Sequence, residues 1–167
     1  IWLPFERPMT ELKNPFTDIP GYECFGCAPD NPAGLKMRFF EEEHALVSHW
    51  EPEDHFQGYG RVLHGGIQAT LMDELASWVV FVKLRTAGMT RDMRLTYHRP
   101  ARTDGGLIVL RGRVESREEK QAVIRCDLYQ GEIFVSEASC TYAVFPPHIA
   151  TRRLQYPGIE AFYGDES

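Results

Sequence analysis

The sequence predicts a single α+β domain in which one long, enclosed helix lies on a mostly antiparallel sheet. Three observations carry that prediction. Between about Gly65 and Arg85 the apolar residues Ile67, Leu71, Leu75, Trp78, Val79 and Val82 recur at helical spacing. Met72, Ala76, Val80 and Phe81 fill the flanks, so this helix is apolar nearly all round and must be enclosed by other structure. After it the hydrophobic period changes to two in "TRDMRLTYHRP", and three further strand candidates follow, joined by short polar turns. The 167 residues suffice for one core and are too few for two comfortable ones.

Taken in order, residues 1–23 read as an N-terminal arm, with Pro4, Pro8, Pro15 and Pro20 scattered among aromatics. The segment "CFGCAPDNPAGL" is rich in turn residues. "KMRFF" and "HALVSHW" follow as two strands flanking the acidic turn "EEE". "EPEDHFQGYGRVL" reads as loop, because Pro52, Gly58 and Gly60 interrupt any regular element. The helix comes next, with Lys83 and Arg85 suited to its C-terminus and Gly88 as its expected stop. "TRDMRLTYHRP" then places Met93, Leu95 and Tyr97 on one strand face and ends at Pro100. "GLIVLRGRVESR", "QAVIRCDLYQG" and "EIFVSEASCTYAVF" are three further strands. The expected domain runs over 24–145, and 146–167 form a second arm.

Composition narrows the function. With 24 acidic and 18 basic side chains the formal charge is −6, which argues against a general nucleic-acid or anionic-membrane binder. Four cysteines, unevenly spread, are too few for a disulfide-stapled scaffold and point to a reducing, cytoplasmic compartment. No apolar run reaches membrane-spanning length, and "IWLPFERPM" lacks the apolar core of a signal peptide. The chain opens on Ile rather than Met, so an upstream targeting segment stays an open expectation.

The stretch "HGGIQATLMDELASW" sets two adjacent carboxylates, Asp73 and Glu74, inside the apolar helix. An unpaired charge there is expensive. Asp73 shares a stripe with Ala69, Thr70, Ala76 and Ser77, small or hydroxylic residues that leave room for a ligand, and is read as a general base or nucleophile. The alternative is a solvent-facing or capping acid. Gly65 and Gly66 open the helix, where unpartnered N–H groups at the positive end of the dipole can meet a carbonyl oxygen without side chains in the way. Seven residues of helix rise separate Gly66 from Asp73 by about 10 Å, too far to act on one small carbonyl. If both are catalytic they come from different copies, and the chain is a homodimer.

Taken together, "CFGCAPDNPAGL", "HGG" with Asp73 nine residues after His64, Thr90, and the "RP" at Arg99 and Pro100 resemble the hotdog-fold acyl-CoA thioesterases, in the branch around the phenylacetic-acid-pathway enzymes. The resemblance spans Cys24 to Tyr142. It implies a long helix wrapped by a curved antiparallel sheet, with two subunits pairing their sheets and an active site at each interface. Carried over by position, it makes Asp73 the acid that activates water or attacks the thioester. It makes Gly66, with Gly65, the backbone donor from the partner subunit. His64 becomes a loop organiser, and Thr90 a hydroxyl near the acid. Phe56 and Gln57 would line the pocket. Beside these, Glu74 and Ser77 are expected at the substrate, and Glu74 is the alternative acid, ranked second. Thr90 has the parity of Asp92 and Arg94, so its role needs a strand start or a bulge that re-aims it, the alternative being a strand-cap hydroxyl.

Between Lys83 and Arg102 lie six basic residues and one acid, Asp92. Such a stretch suits the phosphates of coenzyme A, with Arg99 and Arg102 as the preferred contacts. Acyl-CoA is thus the expected substrate, no cofactor is called for, and dimer against tetramer stays open. Cys24 and Cys27 could be half a zinc site or a redox pair, but Cys126 and Cys140 offer no second CxxC and His44, His49 and His55 lack ligand spacing, so no metal is expected. The rival functions are a non-catalytic acyl-CoA-binding or structural dimer, and a hydratase using His64 with Asp73.

Overall fold

The apolar run that begins at Gly65 folds as helix α1, Gly65–Lys83. This computed structural model describes residues 8–164. The parts of the two expected arms at 1–7, Pro4 included, and at 165–167 lie outside the described residues. The strands are, in chain order, β1 Thr10–Glu11, β2 Phe39–Glu41, β3 Leu46–Trp50, β4 Gln57–Tyr59, β5 Val62–Leu63, β6 Gly88–Tyr97, β7 Ile108–Arg117, β8 Gln121–Gln130 and β9 Ile133–Val144. Seven of them form one sheet in the order β1-β2-β3-β7-β8-β9-β6, and every neighbouring pair is antiparallel.

The sheet lays one face on α1. In β8 the buried residues Ala122, Ile124, Cys126, Leu128 alternate with half-buried ones, and in β9 Ala138, Cys140, Tyr142 and Val144 do the same. From the helix side Leu71, Met72, Leu75, Ala76, Trp78, Val79 and Val80 close the core. Each large aliphatic side chain so enclosed contributes about 1.5–3 kcal/mol. Register shifts in the β6–β9, β7–β8 and β8–β9 pairings bend the sheet around the helix. This is the hotdog arrangement that the resemblance implies.

Two elements differ from the sequence reading. The helix stops at Lys83, with Leu84 as its cap and Arg85 taking the left-handed conformation at φ 54°, so Gly88 is the first residue of β6 and not the helix stop. The expected loop over 51–63 contains a 3₁₀ turn, Asp54–Phe56, and the hairpin β4–β5. Gly60 and Arg61 turn that hairpin with φ 53° and 66°, the paired positive angles that match the twist of two strands.

The described parts of the arms dock on the C-terminal half of α1. A 3₁₀ turn at Pro15–Asp18 buries Phe16, and helix α2, Pro147–Leu154, leads to a second such turn at Ile159–Phe162 that buries Phe162. Phe16 meets Phe81 at 5.3 Å, and Phe162 stands edge-on to Trp78 at 5.4 Å. Tyr156 donates its hydroxyl to the Phe81 carbonyl at 3.0 Å.

Candidate active site

Midway along α1, Asp73 turns its carboxylate toward the paired strands β6 and β9. Its Oδ1 accepts from Thr90 Oγ1 at 2.8 Å and from the Tyr142 hydroxyl at 2.7 Å, and that hydroxyl also lies 2.8 Å from the Asp73 backbone oxygen. Oδ2 takes no hydrogen bond from the described residues. The convergence is built by the sheet. Thr90 pairs with Tyr142 and Asp92 with Thr141, so Arg91 is the extra residue of a bulge. That bulge is the one Thr90 needs to reach the acid.

Tyr142 escaped the sequence reading. The signal was there: it sits on the buried face of β9, and an enclosed tyrosine normally finds a partner for its hydroxyl. Burial pushes its phenol well above the usual range, and the nearby Asp73 carboxylate adds to the shift, so it stays a hydrogen-bond donor.

At the head of the helix His64 is the cap: its Nδ1 accepts from the Gly66 N–H at 2.9 Å. The His64 carbonyl accepts from Ile67 and Gln68. The expected donor at Gly66 is therefore held by an imidazole, and among the described residues the Gly65 N–H is the one left without a partner. Tyr97 donates to the Gly65 carbonyl at 2.6 Å. Gly65, Gln68, Tyr97, His98 and Arg99 line a cleft of about 380 Å³ here. Within one chain this cleft and Asp73 are not brought together, because about 10 Å of helix rise divides them.

The other expected substrate residues scatter. Phe56 is buried against Trp50, ring centroids 5.6 Å apart, inside the core rather than at a cleft. Gln57 is exposed at the start of β4 and accepts from the Arg61 N–H at 3.2 Å. Ser77 is half-buried one turn beyond Asp73. The basic stretch does not form one patch, since Lys83 binds Glu41 at 2.6 Å at the far end of α1 and Arg102 binds Asp104 at 2.8 Å. Arg99 stays exposed at the cleft.

Glu74 goes elsewhere. It faces the "CFGC" turn, with Oε1 and Oε2 3.5 and 3.7 Å from Cys24 Sγ. The hydrogen bond from Cys27 and then the N–H groups of Cys27 and Gly26 draw the Cys24 thiol down to about 5, against the opposing effect of burial. Burial pushes Glu74 up to about 7. A spacing argument could not find this contact, because half a hundred residues separate the partners.

Residues 60–137 match the model of the Thioesterase superfamily, a span that holds His64, Gly65, Gly66, Asp73 and Thr90 but ends before Tyr142. No curated protein matches the chain in sequence. Among solved structures, a phenylacetic acid degradation-related protein of Ralstonia eutropha is 22% identical, with a TM-score of 0.63 over 71% of this chain and 92% of that one. A thioesterase superfamily protein is 20% identical at a TM-score of 0.63 over 69% of this chain, which spans only 57% of that protein's length. A hypothetical thioesterase protein of Streptococcus pneumoniae, solved with coenzyme A, is 22% identical at a TM-score of 0.59, over 63% of this chain and 84% of that one. At such identities the likeness is one of fold. No helix among the described residues is long and apolar enough to cross a membrane. The chain thus has the hotdog fold, and its residues 60–137 carry the sequence pattern of the thioesterase superfamily.

Proposed function

We propose that the protein is a thioesterase that hydrolyses an acyl-CoA to the free acid and coenzyme A, working as a homodimer with its active sites at the subunit interface. One observation carries the reading: Asp73 has one oxygen fixed by two hydroxyl donors and the other free, in the segment that matches the thioesterase superfamily. A carboxylate so oriented presents one defined lone pair to a water or to a carbonyl carbon. In the hydrolytic course the free oxygen takes a proton as water adds to the thioester carbon. The oxyanion that forms rests on the N–H of the partner subunit's Gly65, or on that of the partner subunit's Gly66 where it displaces the imidazole that Gly66 otherwise donates to. Collapse expels the thiolate of coenzyme A, and the proton held by Asp73 passes to it. Direct attack by Asp73 through an anhydride is the other course open to the same geometry.

The interface reading is supported by β6. It is the edge of the sheet, ten residues long, with Met89 58% and Tyr97 50% exposed, the kind of edge that a second copy covers. Pairing two copies there would bring the glycine head of one α1 toward the Asp73 of the other. The bound coenzyme A of the Streptococcus pneumoniae protein favours a CoA thioester as substrate, and the exposed Arg99 at the cleft supports a contact with its phosphates. The hydratase alternative finds no support, since the His64 ring caps its own helix.

The test is thiol release from a panel of acyl-CoAs by wild type and Asp73→Asn. Loss of a general base lowers kcat by about 10²–10⁴-fold. Wild type that releases no thiol from any acyl-CoA overturns the hydrolase reading, and a variant as active as wild type removes Asp73 from the chemistry.

A further inference from the structure

The "CFGC" turn and Glu74 form a cluster that the proposed hydrolysis does not use. Cys24 Sγ, Cys27 Sγ and a Glu74 carboxylate oxygen all lie within 4.8 Å of one another. The turn is tightly set: Ala28 N–H binds the Cys24 carbonyl at 3.0 Å, Leu35 N–H the Phe25 carbonyl at 2.7 Å, and Met37 N–H the Gly26 carbonyl at 2.9 Å. Gly26 is required for the approach, because a Cβ there would run into the Glu74 carboxylate. Asn14 donates to the Tyr22 hydroxyl at 3.3 Å, and that hydroxyl shares a hydrogen bond with Cys27 Sγ at 2.8 Å. Asn14 also holds the Cys27 carbonyl at 3.0 Å.

Three facts point the same way. Glu74 makes no ion pair among the described residues, and its neutral donors, the weak thiols and the Trp78 indole, offset only part of a carboxylate's desolvation. A divalent cation would neutralise it. The spacing fits: a tetrahedral zinc with bonds of about 2.3 Å to sulfur and 2.0–2.2 Å to oxygen sets those atoms about 3.5 Å apart, and Cys24 Sγ to Glu74 Oε1 is 3.5 Å. Tyr22 and Asn14 are placed as the outer partners that orient a sulfur ligand.

We propose that Cys24, Cys27 and Glu74 bind a thiophilic divalent cation, zinc by its ligand chemistry, which clamps the N-terminal turn onto α1 beside Asp73. Thiolate sulfur selects against magnesium and calcium. Three protein ligands leave the fourth position to water, on the half-buried Cys24 side. The clamp fixes the rotation of α1 one residue from the catalytic acid, yet it stands independently of what Asp73 does.

The experiment uses the full chain, reduced and freed of metal with a chelator, then titrated with Co²⁺ and afterwards Zn²⁺. The expected result is one Co²⁺ per chain, with sulfur-to-cobalt charge-transfer absorption in the near ultraviolet and the intense visible bands of tetrahedral cobalt, all displaced by Zn²⁺. Glu74→Gln weakens binding by more than the roughly 10–100-fold that follows loss of an outer partner, and Cys24→Ser removes the charge-transfer band. Folding of each variant is checked by circular dichroism, and the wild-type spectrum decides even if a variant fails to fold. Absence of the charge-transfer band in reduced wild type overturns the proposal. So does Glu74→Gln binding as tightly as wild type. Cys24 and Cys27 forming a disulfide under mild peroxide in a protein that takes up no cobalt overturns it in favour of a redox pair.

Discussion

In the proposed hydrolysis, what matters at Asp73 is which oxygen is tied down. Thr90 and Tyr142 share Oδ1, and a hydrogen bond to a charged group is worth about 1.5–3 kcal/mol. Tyr142→Phe removes one such bond and leaves the ring's packing intact. Steady-state kinetics should show kcat lowered about 10–100-fold at similar KM, the signature of lost orientation rather than lost substrate binding. A rise in KM at unchanged kcat would take Tyr142 out of the acid's support. Asp73 was legible in the sequence because an acid inside an apolar helix is an anomaly. Tyr142 was not, because a tyrosine in an alternating strand reads first as core. The contact of Glu74 was not legible for a different reason: its partners lie in a turn far upstream, and helix periodicity says nothing about which distant segment a face will meet.

The acidic turn between β2 and β3 shows an element serving as an anchor. Lys83, at the end of α1, donates to Glu41 Oε1 at 2.6 Å and to the carbonyls of Glu42 and Glu43 at 2.8 and 3.1 Å. From β7, Arg111 holds Glu42 Oε2 at 2.7 Å, with the Glu42 side chain 2% exposed. Arg111→Met leaves that carboxylate enclosed without its cation. Chemical denaturation should show a loss of about 3–5 kcal/mol, and a change below 1 kcal/mol would mean that the pair carries no such burden. The strands around this turn and the four after α1 were readable from their β-prone runs and the turn residues between them. The β4–β5 hairpin was not: it turns on a left-handed Arg61, a residue type that gives no turn signal, and its strands are too short to show a period.

On the scale of the molecule, the described arm segments belong to the core. Phe162 is fully buried among Phe16, Trp78 and Phe81. Phe162→Ala should cost about 3–5 kcal/mol by the same denaturation measurement. A loss under 1 kcal/mol would make the arm an ornament on the domain. Proline and scattered aromatics in the sequence marked these segments as docking pieces, but without periodicity nothing said where they dock. The proposed pairing of copies lies beyond one chain's hydrophobic pattern, and in the sequence helix rise and the family resemblance spoke for it. Since the glycine head and Asp73 are divided by about 10 Å of one helix, each proposed site takes one of them from either subunit. Co-expression of Asp73→Asn with Gly66→Val, a substitution that crowds the helix head, measures this directly. Each variant alone should be inactive. Half of randomly assembled dimers would then carry one intact site, restoring about a quarter of the wild-type thiol release; a mixed preparation as inactive as its parents would contradict the shared site.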